Sequence, residues 1–261
     1  MKIGFFDSGM GGLSVLQHAM KILPQEEYIF YADEENVPYG TKKREEILKY
    51  VDEAFKFLIK NGVGAIVVAC NTATSVAVQE MREKYSLPII GMEPALKLAL
   101  DLYPERKVLV TATAITITGE KIRRLIRKLG AETLVELKAL PKLVEFAERQ
   151  EFRTEKVEKY LRGELLRYDL GKFSSIVLGC THFNYFKDVM REILPVHVKI
   201  LDGNAGTVKE LIRRAKLSVE GAKKSVPKVE FYYSGRKVED LGEIERLEKF
   251  LRRLEEMEQI K

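Results

Sequence analysis

Short apolar stretches alternate with amphipathic stretches along most of the chain. Residues 2–6, 28–32 and 66–69 are apolar runs of the length expected for buried strands. Between and after them, apolar positions recur at helical spacing in residues 41–60 and 71–85. The pattern therefore predicts an α/β fold with largely parallel sheets.

From residue 107 the same order of elements begins again. The pattern predicts strands at 108–112 and 132–137, and one helix that runs from a hydroxyl-rich turn at 113–116 to Leu129. A further apolar run, IVLG, ends just before Cys180. The second half is thus expected to repeat the topology of the first.

This repeat predicts two pseudo-symmetric three-layer domains with the active site in the cleft between them. We expect the first domain to comprise residues 1–92 plus 203–261, and the second to comprise residues 93–202. A helix is expected to begin at Glu93-Pro94, because proline is well tolerated in a first turn.

The two cysteines of the chain occupy the same place in this repeat. Cys70 follows the run IVVA and precedes Asn71, and Cys180 follows IVLG and precedes Thr181. In open α/β sheets, ligands bind beyond the carboxyl ends of the strands, so both thiols are expected at a ligand site. Each also precedes an expected helix N-terminus, where backbone N–H groups favour a thiolate.

Two acid–base groups on opposite faces of a bound carbon suit racemisation or epimerisation. One thiolate removes a proton from a stereocentre, and the other thiol delivers a proton to the opposite face. Three alternatives remain open at this point: two buried inert thiols, a peroxide-sensing or nucleophilic cysteine, and a two-domain clamp that binds an amino acid without chemistry.

The turn after the first predicted strand, Asp7 to Gly12, is rich in glycine. Glycines allow close approach of backbone to a ligand, and a helix N-terminus attracts anions. The turn has neither the lysine of a P-loop nor the GxGxxG spacing, so a nucleotide site is not expected. The structural alternative is a tight strand-to-helix turn with Asp7 as its cap.

Charge and composition exclude several classes of protein. The 44 basic and 39 acidic residues give a net charge of +5 spread over mixed faces, with no nucleic-acid motif. We expect no membrane span and no signal peptide. We also expect no metal site, because the three histidines are scattered along the sequence. The highly charged helix predicted over 239–257 is interpreted as a solvated face.

Five motifs in order along the chain resemble those of glutamate racemase. They are DSGMGGLSVL at 7–16, VPYG at 37–40, ACNTAT at 69–74, EPA at 93–95 and LGCTHF at 178–183. The resemblance implies a cytoplasmic enzyme of the aspartate/glutamate racemase group that interconverts L- and D-glutamate without pyridoxal phosphate or another cofactor. It further implies D-glutamate supply for peptidoglycan and a homodimer, with no nucleic-acid or membrane partner.

The resemblance also implies roles for individual residues. Cys70 is the acid/base that acts on D-glutamate, and Cys180 the one that acts on L-glutamate. Proton transfer is assisted by Asp7, His182 and Glu148, with Glu145 as the alternative carboxylate. The implied substrate-binding positions supply hydroxyls, amides and acceptors for two carboxylates and one ammonium: Asp7, Ser8, Pro38, Tyr39, Gly40, Asn71, Thr72, Thr113, Thr116, Thr181 and His182.

Three positions depart from the family pattern. Asn36 stands where an arginine is common, Asn184 where a proline is usual, and Leu140 where a cysteine is common. These departures bear on loop shape and oligomer contacts, and not on the two thiols. Aspartate remains the alternative substrate, because residue spacing does not measure one methylene.

Overall fold

The computed structural model describes residues 1–92, 95–219 and 226–260, so the helix start expected at Glu93-Pro94 lies outside the described residues. The strands are β1 (Lys2–Asp7), β2 (Glu27–Ala32), β3 (Ala65–Val68), β4 (Ile89–Gly91), β5 (Lys107–Ala112), β6 (Val135–Ala139), β7 (Phe173–Gly179), β8 (Lys199–Asp202), β9 (Lys228–Tyr233) and β10 (Arg236–Lys237). The α-helices are α1 (Leu13–Ile22), α2 (Arg44–Lys60), α3 (Asn71–Lys84), α4 (Leu96–Leu102), α5 (Ala114–Thr118), α6 (Glu120–Lys128), α7 (Lys142–Glu148), α8 (Glu155–Leu165), α9 (Lys187–Ile193), α10 (Asn204–Ala215) and α11 (Leu241–Met257). Short 3-10 helices span Glu34–Asn36, Tyr39–Thr41, Leu170–Lys172 and Thr181–Phe186.

The chain divides into two compact units. The first comprises Met1–Glu93 with Asn204–Leu251, and the second comprises Pro94–Gly203 with Arg252–Lys261. Residues 252–261 therefore group with the second unit, whereas the expectation from the sequence places all of 203–261 in the first domain. Arg253 gives the physical reason, because its guanidinium donates to the carbonyl of Tyr185 and to the carboxylate of Asp188 within the second unit.

The sheet of the first unit has the strand order β10-β9-β2-β1-β3-β4. All neighbouring strands in it run parallel except β10, which pairs antiparallel with β9. Phe6 on β1 pairs with Val68 on β3, so the residues after these two strands continue side by side. Every residue of β3 is buried, as the uninterrupted apolar run predicts for a strand covered on both faces.

The sheet of the second unit has the order β6-β5-β7-β8, and all its pairs are parallel. In each unit the first strand along the chain lies between the second and the third, and the fourth lies beyond the third. Each cysteine follows the third of these strands, β3 or β7. The predicted α/β fold with largely parallel sheets is confirmed.

Three elements differ from the prediction. The helix expected to reach Leu129 is broken into α5 and α6 at Gly119, whose backbone is extended (φ −71°, ψ 151°). Glycine is a poor helix former, so the break occurs there. β6 begins at Val135 rather than at residue 132, and β10, only two residues long, has no hydrophobic pattern that would have predicted it.

Gly179, the last residue of β7, lies against the neighbouring strand. A Cβ at this position would be 2.9 Å from the carbonyl oxygen of Thr111 and 3.0 Å from the Cβ of Ala112. Both atoms belong to β5, where the backbone cannot yield without loss of ladder hydrogen bonds. Glycine is therefore required directly before Cys180.

We predict that Gly179→Ala destabilises the protein by about 1–3 kcal/mol through this overpacking. The matched control is Gly163→Ala on α8, where a Cβ meets nothing within 4 Å. The control should stabilise by about 1 kcal/mol, because alanine is the better helix former. Thermal unfolding midpoints measure both changes, and equal midpoints for the two variants would contradict the prediction.

Candidate active site

The thiol of Cys70 caps helix α3 in the first unit. Its side chain is buried, and its Sγ accepts a hydrogen bond from the backbone N–H of Ala73 at 3.4 Å. Helix α3 begins at Asn71, as the helical spacing from residue 71 predicts, and its capping residue is Cys70. A sulfur that accepts from the first turn of a helix is placed where negative charge is favoured.

Thr74 fixes this first turn to the sheet. Its Oγ1 donates to the carbonyl of Val68 at the end of β3 and accepts from the N–H of Met92 just after β4, both at 3.0 Å. Gly91 leaves the room that this contact needs, because a Cβ there would lie 2.7 Å from Cγ2 of Thr74. The position of the Cys70 thiol thus follows from the ends of two strands.

Ser8 and Asp7 lie beside Cys70, as the pairing of β1 with β3 requires. Ser8 Oγ is 3.4 Å from Cys70 Sγ and 3.2 Å from Asp7 Oδ1, and the Gly9 N–H donates to the same carboxylate oxygen at 3.1 Å. Asp7 is fully buried. A continuous series of contacts therefore leads from a thiol through a hydroxyl to a carboxylate.

The glycine-rich turn has its structural reason in Gly12. A Cβ at Gly12 would lie 2.7 Å from Cβ of Asp7, 2.8 Å from its Oδ2 and 3.0 Å from Cβ of Ala69. Helix α1 can begin where it does only because its N-cap residue has no side chain to displace the Asp7 carboxylate.

Tyr39 is anchored by a second buried carboxylate, that of Asp33. The Tyr39 hydroxyl donates to Asp33 Oδ2 at 2.5 Å, while Asn36 Nδ2 and Ser234 Oγ donate to Oδ1 at 3.0 and 3.1 Å. Burial, together with the charge and hydrogen bond of Asp33, raises the pKa of Tyr39, so the phenol stays protonated. Phe6 packs against its ring with centroids 6.2 Å apart. These contacts fix the segment Pro38–Gly40 beside β1, and Asn36, a departure from the family pattern, is part of the anchor.

Asn71 carries an orphan donor. Its side chain is 9% exposed, and within the described part of the chain its Nδ2 has no hydrogen-bond partner. A buried amide without a partner costs free energy, so such a group calls for an explanation in a native structure. It is adjacent to Cys70 in the chain.

In the second unit, Cys180 contacts a different kind of partner. It is buried, and its Sγ lies 3.8 Å from Nδ1 of His182, whose Nε2 lies 2.6 Å from Oε1 of Glu148. The sequence pattern predicts an α-helix N-terminus at Cys180. Instead, the 3-10 helix Thr181–Phe186 follows, without a cap hydrogen bond to the sulfur, and α9 begins only at Lys187.

The protonation of His182 reflects these contacts. Burial alone would lower the pKa of His182, but hydrogen bonds and charge from Cys180 and Glu148 raise it well above 6.5. An imidazolium at neutral pH donates from Nε2 to Glu148 and from Nδ1 to Cys180. This unit therefore also connects a thiol, through an ionisable group, to a carboxylate.

Glu145 and Glu148 were the two candidates for the assisting carboxylate. Both lie on α7, but the Glu145 side chain is exposed to solvent, whereas Glu148 is half-buried and contacts His182. The geometry favours Glu148.

Several threonine hydroxyls lie at the edge of the second sheet where β5 and β7 end. Ala112 pairs with Gly179, so Thr113 continues beside Cys180. Thr113 Oγ1 caps α5 by accepting from the N–H of Thr116 at 3.3 Å, and the two hydroxyl oxygens are 2.9 Å apart. Both threonines and Thr181 are buried. Nearby, Asn184 Nδ2 donates to the Thr181 carbonyl at 3.0 Å and so supports the 3-10 turn.

The described residues hold no group of three or more His, Cys, Asp or Glu side chains arranged to bind a metal ion. Over the same part of the chain, none of the helices combines the length and the apolar character needed to cross a membrane.

Comparison with known proteins identifies the family. The profile of the Asp/Glu/hydantoin racemases matches residues 13–211. The chain belongs to this family. A glutamate racemase from Campylobacter concisus is 54% identical over 262 residues, which cover 100% of this chain and 100% of the relative. A relative from Campylobacter curvus with the same name is 51% identical, again over 100% of both chains.

Solved structures of the family agree with the fold. A glutamate racemase from Escherichia coli in complex with L-glutamate and an activator has a TM-score of 0.81 at 28% identity, covering 97% of this chain and 94% of that chain. The enzyme from Francisella tularensis in complex with D-glutamate has a TM-score of 0.78 at 30% identity, covering 96% and 93%. This racemase therefore shares its α/β fold with enzymes that have been crystallised with either enantiomer of glutamate.

We predict that Glu148→Gln lowers the pKa of His182, because the anionic partner of the imidazolium is lost. The folded-state pKa of His182 lies above its unfolded value of about 6.5, so its contribution to stability is complete below that pH and is lost as pH rises through the folded pKa. The variant should be less stable than the parent at about pH 6, just below the unfolded pKa of His182. The difference in stability between the two proteins should shrink as the pH rises.

Histidine NMR titration and thermal unfolding against pH measure these two effects. The control is Glu145→Gln on the same helix, whose side chain is exposed. A His182 pKa that falls equally in both variants, or in neither, contradicts the assignment of the contact.

Proposed function

We propose that this chain interconverts L- and D-glutamate by a two-base mechanism in which the thiols of Cys70 and Cys180 act on opposite faces of the α-carbon. The observation that carries the proposal is the duplicated thiol. Two buried cysteines follow the third strand of two sheets whose first four strands along the chain are arranged in the same order, and each thiol contacts a group that leads to a carboxylate. A buried inert cysteine needs no such partner.

The reaction balances as one proton removed and one delivered. With D-glutamate bound, the Cys70 thiolate takes the α-proton, the resulting carbanion is planar at that carbon, and the Cys180 thiol supplies a proton to the other face. With L-glutamate bound, the two thiols exchange roles. After each turnover the thiols have exchanged protonation states, so both sites need a route by which protons return.

The two contact series supply such routes in the proposal. The Cys70 thiol can pass its proton to Ser8 while Ser8 passes its own hydroxyl proton to the Asp7 carboxylate. The reverse transfer, from protonated Asp7 through Ser8, returns a proton to a Cys70 thiolate. On the other side, the His182 imidazolium supplies a proton to Cys180, and Glu148 stabilises the charged ring. Asp7, His182 and Glu148 thus assist the two thiols without themselves contacting the α-proton.

Substrate binding in the proposal uses the polar groups at the same strand ends. The unpartnered Nδ2 of Asn71 and the paired hydroxyls of Thr113 and Thr116 are donors suited to carboxylate oxygens. The proposal retains Ser8, the segment Pro38–Gly40, Thr72, Thr181 and His182 as further binding positions. Asp7 is a natural acceptor for the substrate ammonium because it is a buried carboxylate.

The reaction class needs no cofactor, since thiols perform both proton transfers. We further propose that the product, D-glutamate, is consumed in peptidoglycan synthesis, that the enzyme works in the cytoplasm, and that it forms a homodimer. The 54% identity to a glutamate racemase over the full length of both chains supports glutamate over aspartate.

In D2O, the enzyme is predicted to exchange the α-proton of glutamate for deuterium while optical rotation is lost. Cys70→Ser and Cys180→Ser should each reduce racemisation by at least about 10²-fold, because an alcohol is a far weaker base than a thiolate. Circular dichroism follows the loss of rotation, and NMR follows deuterium incorporation.

L-Aspartate assayed in parallel tests the alternative substrate. Full activity in either single cysteine variant would sink the two-base mechanism, and exchange without loss of rotation would leave only one functional base. Binding of glutamate without exchange would instead favour the amino-acid clamp. A stable disulfide between the two thiols after mild peroxide treatment would favour the redox-sensing alternative.

Asn71→Ala is predicted to weaken glutamate binding without destabilising the fold. The variant removes a buried donor that has no protein partner, so stability should stay the same or rise by about 1 kcal/mol. KM should rise on the order of tenfold through loss of one hydrogen bond to a charged group. Steady-state kinetics and thermal unfolding measure the two effects.

Asn61→Ala provides the contrast, since Asn61 Nδ2 donates to the carbonyl of Phe57 at the end of α2. This control should lose stability and keep its KM. An Asn71 variant that loses stability while its KM is unchanged would show that the amide has a structural role only.

A further inference from the structure

Helix α11 contains an arginine that is buried. The charge pattern of this helix predicts a solvated face, but Arg253 is only 9% exposed and lies in a buried stripe with Leu247, Phe250, Leu254 and Met257. A buried arginine is rarely found without specific partners, because the desolvation of its charge has to be offset. Its contacts within the second unit are therefore informative.

Two of these contacts reach the segment that carries His182. Arg253 Nε donates to the carbonyl oxygen of Tyr185 at 3.0 Å, and Nη2 donates to Oδ1 of Asp188 at 2.6 Å. Tyr185 belongs to the 3-10 helix Thr181–Phe186, three residues after His182, and Asp188 lies in the first turn of α9. The guanidinium thus holds the far end of the segment that begins at Cys180.

The same guanidinium also holds the segment that follows Glu148. Its Cζ lies 5.6 Å from the centre of the Phe152 ring, four residues after Glu148. Phe152 in turn stacks on Tyr185, with ring centroids 5.1 Å apart and an angle of 29°. Arg153, the next residue, donates to the second carboxylate oxygen of Asp188 at 3.3 Å.

We propose that Arg253 is a positioning residue that sets the contact between His182 and Glu148. One side chain bridges the two chain segments that carry the two members of this pair, and its described contacts lie with Tyr185, Asp188, Phe152 and Glu256 rather than with the thiol. The inference rests on the proposed function only where it gives His182 a part in proton transfer.

A planar guanidinium suits this task and an ammonium does not. Arg253 donates in two directions at once and lies over an aromatic ring, which requires a rigid fork with a flat face. Lysine keeps the charge but cannot make both hydrogen bonds and the stacking contact together. Arg253→Lys should therefore allow the Tyr185 and Phe152 segments to separate and the 2.6 Å contact of His182 with Glu148 to lengthen.

The titration of His182 reports this contact directly. The titratable groups that face His182 among the described residues are Glu148 on α7 and Cys180 at the end of β7. A longer distance to Glu148 weakens the stabilisation of the imidazolium, while burial continues to oppose its charge. The pKa of His182 should then move down, towards the ordinary value.

The experiment is an NMR titration of histidine-labelled protein in the parent, Arg253→Lys and Arg252→Lys. Arg252 is an exposed residue of the same helix and controls for the loss of a guanidinium as such. We expect the His182 pKa to fall by about half a unit or more in Arg253→Lys, and to stay unchanged in Arg252→Lys. Glu148→Gln gives the limiting shift for complete loss of the contact.

Kinetics add a second measurement. Arg253 is not itself a proposed binding residue but acts through His182, so Arg253→Lys should lower kcat on the order of tenfold and change KM by less than it changes kcat. A fall in kcat with an unchanged His182 pKa would overturn the proposal, because the loss would then be structural only. An equal pKa shift in Arg252→Lys would overturn it as well.

A second variant covers the case in which Arg253→Lys does not fold. Phe152→Leu keeps the hydrogen bonds of Arg253 but removes the aromatic ring between the guanidinium and Tyr185. It should lower the pKa of His182 by less than Arg253→Lys does. If this variant folds and the pKa of His182 is unchanged in it, the proposal is overturned. Because the titration needs no substrate, it decides the role of Arg253 even if glutamate proves not to be racemised.

Discussion

The parallel pairing of the first and third strands of each sheet is the constraint on which both thiol sites depend. In the first unit it places Ser8 beside Cys70, and in the second it places Thr113 beside Cys180. Carboxyl ends of parallel strands meet at one edge, so each polar residue just after a strand joins its neighbours there. The glycines at these edges serve the same arrangement, because a Cβ at Gly179 would push the two strands apart.

The two thiol sites differ chemically although their strand orders agree. Cys70 is connected to Asp7 through a serine hydroxyl and accepts from a helix N–H, whereas Cys180 is connected to Glu148 through an imidazole. A hydroxyl can pass a proton on while it stays neutral, whereas an imidazole holds the proton as a charged imidazolium. In the proposed mechanism, the fixed dipole of α3 favours negative charge on the sulfur of Cys70, and the charge of His182 does so for Cys180.

Local pattern was sufficient to predict most of the fold and the residues at the strand ends. Uninterrupted apolar runs identified the central strands, and the repeat of a run followed by cysteine and a polar residue identified both thiols. The family resemblance supplied Glu148 and the threonines. The break at Gly119 was missed because the hydrophobic spacing continues across it, although glycine is the one signal that was available.

Long-range anchors could not be predicted from the sequence. The third donor to Asp33 comes from Ser234, 201 residues away. Arg253 finds its acceptor in the carbonyl of Tyr185, 68 residues earlier in the chain. The local pattern of apolar and polar residues does not report contacts between residues far apart in the chain. A charged helix shows the same pattern whether or not one of its arginines is buried. Both are buried charged groups whose desolvation is offset by several donors or acceptors.

The buried polar groups of Asp33 and Arg253 differ from the amide of Asn71 in how their hydrogen bonds are satisfied. Asp33 accepts from three donors. The buried Arg253 donates to the carbonyl of Tyr185 and to the carboxylates of Asp188 and Glu256, so hydrogen bonds within the protein offset the desolvation of both charged groups. Asn71, beside Cys70 in the chain, has a buried donor that finds no partner among the residues that the structure describes. An orphan amide contributes nothing to stability, so the proposed function, in which this donor binds a carboxylate of the substrate, accounts for an amide that folding alone leaves unexplained.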